Sequence, residues 1–103
     1  MVFLISGCGK SDEKIPDEII PLEKMAEVLA DFELAEVVLD YHIDSVGYFD
    51  SILAGRYYAD IFKQHRVQGK DFAESWVFYQ KHSVWGEKLY EKTLDILRKQ
   101  EEQ

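Results

Sequence analysis

From Leu22 onward apolar residues recur at threes and fours: Leu22, Met25, Leu29, Phe32, Ala35, Val38 and Leu39. Glu23, Glu27, Asp31 and Asp40 mostly face away from that stripe. This is the period of a helix with one face in a core. Pro21 suits a first helical turn, where its missing N–H is not needed, and Ile20 ahead of it can staple the entry. The pattern runs to about Tyr41, and Asp44-Ser45 with Gly47 then breaks it. The spacing predicts a second helix over Asp50 to His65, with Leu53, Tyr57, Ile61 and Phe62 inward. Arg66-Val67-Gln68-Gly69-Lys70 reads as a turn, after which Phe72, Ser75, Trp76 and Tyr79 form a short third helix. Ser83 is the expected N-cap of a fourth, carrying Leu89, Tyr90, Thr93, Leu94 and Leu97. Arg98 and Lys99 place cations at its negative pole. No segment alternates at period two. The prediction is an all-α fold: a small bundle of about four helices with a long first helix and a C-terminal helical hairpin. Met25, Leu29 and Phe32 are expected to pack against Tyr57, Ile61, Leu89 and Leu94.

The residues ahead of the first helix read differently. Leu4-Ile5-Ser6-Gly7-Cys8 is a short apolar run, two small residues and the only cysteine of the chain. It looks like a bacterial lipobox, in which the thiol is lipidated and everything before it removed. Small residues let a signal peptidase approach the backbone closely. Each buried methylene of the attached chains adds ~0.8 kcal/mol, so two or three chains hold a protein at a bilayer where a single myristoyl does not. Met1-Val2-Phe3 is too short for a basic n-region and an apolar h-region, so residues 1–7 are read as a truncated signal-peptide remnant. Gly9 to Ile20, polar and interrupted by Pro16, reads as a tether. The expected organisation is therefore a remnant over 1–7, a lipidated Cys8 with a flexible tether over 8–20, and a helical domain over 21–103.

Composition narrows the function. The 103-residue chain is one domain with a modest core. A formal charge of −8 opposes nucleic acid as a partner, because phosphate binding runs on clustered Lys and Arg, and equally opposes adhesion to an anionic leaflet through a basic patch. One cysteine makes no internal disulfide, and there is no CxxC, no paired Cys/His spacing and no Gly-rich phosphate loop. With 47% apolar residues, six Tyr, six Phe and two Trp, the chain has ample ring surface for a core, a binding face or both.

Three stretches carry a family resemblance. Lys24-Met25-Ala26-Glu27-Val28-Leu29-Ala30-Asp31-Phe32-Glu33-Leu34-Ala35-Glu36 is similar to the opening helix of a family of small Bacteroidota lipoproteins known only as a domain of unknown function. Ile61-Phe62-Lys63-Gln64-His65-Arg66-Val67, leading through Asp71-Phe72 and Ser75 to Phe78-Tyr79, resembles its middle; Leu89-Tyr90-Glu91-Lys92 through Leu94 to Leu97 resembles its close. Gly9-Lys10-Ser11-Asp12-Glu13 is also similar to the surface-export signal of Bacteroidota lipoproteins, although Ser11 splits the lysine from the acids. The resemblance implies a lipidated helical domain of the cell envelope, on the periplasmic face of the outer membrane or at the cell surface. It brings no catalytic residues.

No residue constellation predicts an enzyme, a cofactor or a metal site. Asp31 and Glu36 lie five residues apart, on different sides of the first helix, and read as solvated or capping carboxylates. His42, His65 and His82 lack the i, i+4 spacing of helix-borne metal ligands. The helix–turn–helix around Arg66–Lys70 reads as a plain αα-hairpin. The informative residues are aromatic. Phe72 and Tyr79 share the inward stripe of the third helix, which leaves Trp76, Phe78 and Trp85 as candidates for an exposed, partner-binding ring. The expected function is a lipid-anchored, non-catalytic interaction or scaffold module for an unidentified envelope protein. The alternative is a binding protein for a small ligand, peptide or glycan in an aromatic-lined groove.

Overall fold

The computed structural model describes residues 14–102. Four helices follow one another: α1 (Leu22–Val46), α2 (Ser51–His65), α3 (Gly69–Lys81) and α4 (Ser83–Glu101). No strand occurs among the described residues. The fold is all-α, with the long first helix and the C-terminal hairpin α3–α4.

Each helix boundary has a local cause. α1 continues past Asp44 to Val46 and stops at Gly47, whose left-handed φ of 86° lets its N–H reach the carbonyl of Ile43 at 2.7 Å. Asp50 caps α2, its Oδ1 accepting from the Leu53 N–H at 3.0 Å. α2 ends on Arg66, a non-glycine residue in the left-handed region with φ 58°. The N–H of Val67 then returns to the carbonyl of Phe62 at 2.9 Å, the longer bond of a Schellman ending. A single residue, His82, joins α3 to α4. Ser83 is the first residue of α4 rather than its cap, because so short a reversal makes His82 the boundary of both helices. Nδ1 of His82 donates to the carbonyl of Phe78 at 2.8 Å, and the two rings stack at 4.2 Å.

That reversal brings α3 and α4 very close. A β-carbon on Gly86 would lie 2.6 Å from the carbonyl oxygen of Tyr79, a backbone atom that cannot swing aside. Alanine would gain ~1 kcal/mol of helix propensity over glycine, but overpacking costs about 1–3 kcal/mol. Gly86→Ala should therefore lower stability by about 1 kcal/mol in a denaturant titration. A variant more stable than wild type would show that the helices are not in contact there.

The four helices share two linked cores. At the lower end Ile19, Ile20, Met25, Ala26, Tyr79 and Leu89 are buried together, with Leu22, Leu29, Phe78 and Trp85 against them. At the upper end Val28, Ala35 and Ile61 are buried, with Phe32, Tyr57 and Tyr58 around them. Val67 and Phe72 touch both clusters, so the α2–α3 turn is the joint between them. Met25 and Leu29 thus pack with Leu89, while Phe32 packs with Tyr57 and Ile61.

The lower core moves the start of the domain. Residues 15–20 were expected to be tether, yet Ile19 and Ile20 are buried and Ile15 packs against them. The Ile20 N–H donates to Ser75 Oγ at 2.9 Å, and the Tyr79 hydroxyl donates to the Ile20 carbonyl at 2.7 Å. Two side chains of α3 satisfy both polar groups of a buried, non-helical residue, which is what allows that segment to enter the core. Residues 9–13 of the expected tether, with the signal remnant and Cys8, lie outside the described residues.

The helices also differ in reach. Lys92 lies 3.9 Å from Glu23, while Leu97 and Glu101 lie beside Leu34 and Val37. α4 therefore runs parallel to α1 and ends well short of its C-terminus. Val38, expected inward, is 44% exposed for this reason. Tyr90, carried on α4 next to the buried Leu89, is exposed because it sits one position round the helix.

Candidate functional site

Where α2 ends and α3 begins, three helices turn aromatic rings toward one another. Phe32 of α1 lies with its ring centroid 5.0 Å from that of Tyr58, 5.3 Å from Phe62 and 5.0 Å from Phe72. Trp76 stacks on Phe72 at 6.5 Å with the planes 14° apart. Such tilted and offset pairs add about 0.5–1.5 kcal/mol each beyond the area they bury. Phe32, Tyr58, Phe72 and Trp76 line an open groove of about 280 Å³, with Phe62 packed behind Phe32 and Phe72. Leu29, Phe32, Tyr58 and Phe72 supply its apolar surface, Trp76 its lip, and Glu33 and Glu36 its acidic rim.

The local sequence explains the arrangement. Leu29, Phe32, Glu33 and Glu36 follow the i, i+3, i+4, i+7 spacing of one helix face, so α1 presents two apolar and two acidic side chains side by side. Phe72 and Trp76 are one turn apart on α3 and face the same groove. Beneath, Nε2 of His65 donates to Oδ2 of Asp31 at 2.6 Å, tying the end of α2 to α1. Asp31, read as a solvated or capping carboxylate, is instead half-buried and paired, because the end of α2 brings His65 against it.

The three candidate rings fall in different settings. Trp76 is 39% exposed at the lip of the groove. Phe78 is half-buried, stacked on His82 and packed against the lower core. Trp85 is also half-buried against that core, and the Lys88 ammonium lies 4.8 Å from its ring centroid. Sequence reasoning did not name Tyr58, Glu33 or Glu36 as groove residues. The stripe from Leu29 to Glu36 was the available signal for the two acids; Tyr58 carries none, since its place depends on how α2 crosses α1.

His42 Nε2 is 3.8 Å from Asp50 Oδ2, toward the C-terminal end of α1 and outside the lining of the groove. Among the described residues no group of three or more His, Cys, Asp or Glu is placed to hold a metal ion. No helix among them is long and apolar enough to cross a membrane.

No curated protein and no solved structure matches the chain. A family model does, over residues 16–103, and its first matched residues fall within the segment that α3 holds in the lower core. With nearly all of the described domain covered, the chain belongs to the family DUF4296, a domain of unknown function.

Proposed function

We propose that this domain is a non-catalytic interaction or scaffold module of the cell envelope, anchored in the outer membrane by lipid on Cys8, which docks a partner protein in the groove beside Trp76. The observation that carries the reading is the exposed indole of Trp76 above a groove of rings. Core formation already accounts for the other rings of α3, whereas a tryptophan left at a lip has no role in the core. Tryptophan and tyrosine are the residues most enriched at binding hot spots. A volume of about 280 Å³ lies just under the usual lower end of small-molecule pockets and suits one or two side chains of a partner. The second reading, a site for a small ligand, peptide or glycan, is favoured by one feature. The Phe72 and Trp76 rings lie nearly parallel and offset in the groove lining, and Trp76 is partly exposed, an aromatic surface on which a flat ring stacks.

The test is capture in the native envelope by the full-length, membrane-held protein. Trp76→Ala should lose the crosslinked partner, with an affinity loss of about thirtyfold for a hot spot worth 2 kcal/mol. Its helical circular-dichroism signal and membrane fractionation should be unchanged. Cys8→Ser should leave the protein soluble or unprocessed. Retained capture in Trp76→Ala would place the docking face elsewhere, and wild-type protein with an unmodified Cys8 in the soluble fraction would remove the anchor.

A further inference from the structure

The side of α1 facing away from the Trp76 groove carries a second apolar surface, which no other helix among the described residues covers. Leu34, Val37, Val38 and Tyr41 follow the i, i+3, i+4, i+7 spacing of one helix face and are 44%, 66%, 44% and 74% exposed. Nearer the N-terminus the same line of α1 holds Ala26 and Ala30, both fully buried. α4 ends beside Leu34 and Val37, and the stripe runs on past it. A groove of about 360 Å³ opens at that point, with Leu34, Val37 and Leu97 as its floor and Glu33, Gln100 and Glu101 around it.

The charge around this surface has one sign. From Glu33 to its end α1 carries Glu33, Glu36, Asp40 and Asp44 and no lysine or arginine. Asp44 lies within the last turn of α1, and Glu101 ends α4. Carboxylates at helix C-termini oppose the helix dipole, which there favours cations. Because α1 and α4 run parallel, both negative poles lie toward this end of the molecule. Arg98 and Lys99 in the last turn of α4 answer its own dipole but do not line the stripe: Arg98 pairs with Asp95 at 3.4 Å, and helical spacing puts Lys99 on the face opposite Leu97 and Gln100. An acidic rim that works against its own helices is explained by a positive partner.

We propose that this stripe is the docking site of a cationic amphipathic helix from another protein. That helix lies along α1 in the line of α4, its apolar side on Leu34, Val37, Val38 and Tyr41 and its lysines or arginines against Asp40, Asp44 and Glu101. A second copy of this chain is disfavoured, since pairing the stripe with itself sets one acidic row against another. An anionic bilayer is disfavoured by the same repulsion. The surface is separate from the Trp76 groove, with Glu33 on the ridge between the two.

The probe is a fluorescein-labelled synthetic helix with leucines at i, i+3, i+4 and i+7 and lysines along both flanks, read by anisotropy against the full chain. Wild-type protein should bind it about tenfold more tightly than a scrambled peptide of the same composition. Val37→Ser with Tyr41→Ser should lose about tenfold while keeping wild-type helicity, since both side chains are exposed. Asp40→Lys with Asp44→Lys should lose as much and flatten the salt dependence. Trp76→Ala should bind as wild type, which separates this site from the groove. Equal binding of the scrambled peptide, or no loss in the Val37/Tyr41 variant, would overturn the proposal. So would a dimer in sedimentation equilibrium that Val37→Ser dissolves, or adhesion to phosphatidylglycerol vesicles through the stripe.

Discussion

Tyr79→Ala should cost the domain about 3–5 kcal/mol, a large part of the 5–15 kcal/mol that holds a typical domain together. Tyr79 is 1% exposed and is the largest fully buried side chain among the described residues. Its removal leaves a cavity between α1, α3 and α4 and strips the Ile20 carbonyl of its donor. Tyr79→Phe separates the two effects. It keeps the ring and loses only the 2.7 Å hydrogen bond, so a cost of about 1–3 kcal/mol is expected for the unsatisfied buried carbonyl. It should also change the alkaline behaviour. Burial pushes the Tyr79 hydroxyl up from 10.0 to about 12, so the unfolded chain releases that proton first. The stabilisation is therefore complete below pH 10 and falls as the pH rises from 10 toward 12. The difference in stability between wild type and Tyr79→Phe should shrink across that window. A constant difference through it would mean that the hydroxyl is not buried as described.

Phe32→Ala is expected to be nearly as costly, at about 3 kcal/mol, and for a different reason. Tyr79 joins the N-terminal segment to α3, whereas Phe32 joins α1 to both α2 and α3 through three ring contacts. Its loss should loosen the upper core and widen the groove together. A double-mutant cycle of Phe32→Ala with Phe72→Ala should give a coupling of about 0.5–1.5 kcal/mol. A near-neutral Phe32→Ala would contradict the packing of the upper core.

The helices were legible because their signals are local. The apolar spacing of α1, the start of α2 at Asp50 and the break at Gly47 are all read within a few neighbouring residues, while the turn read over Arg66–Lys70 is shorter, since α3 already begins at Gly69. The start of the domain was not. Ile19 and Ile20 follow a charged stretch and Pro16, and what buries them is Ser75 and Tyr79, more than fifty residues away. Val38 failed for a related reason: periodicity tells which residues share a face, but not where the partner helix stops. The functional groove was half legible. The aromatic run of α3 drew attention to Trp76, while Phe78 and Trp85 could not be told from it without the one-residue reversal at His82 that turns both toward the lower core. Glu33 and Glu36 look like ordinary solvated carboxylates, and only the packing of α2 and α3 against α1 places these exposed acids on the rim of the groove.

Site-specific photo-crosslinking in the native envelope tests the central claim most directly. A photoreactive residue in place of Trp76, at the lip of the groove, should form a discrete adduct with one envelope protein. The same group in place of Tyr90, which is 65% exposed on α4 away from the groove, should form none. Equal labelling at the two positions, or an adduct at Tyr90 alone, would contradict the assignment of the Trp76 groove as the docking site.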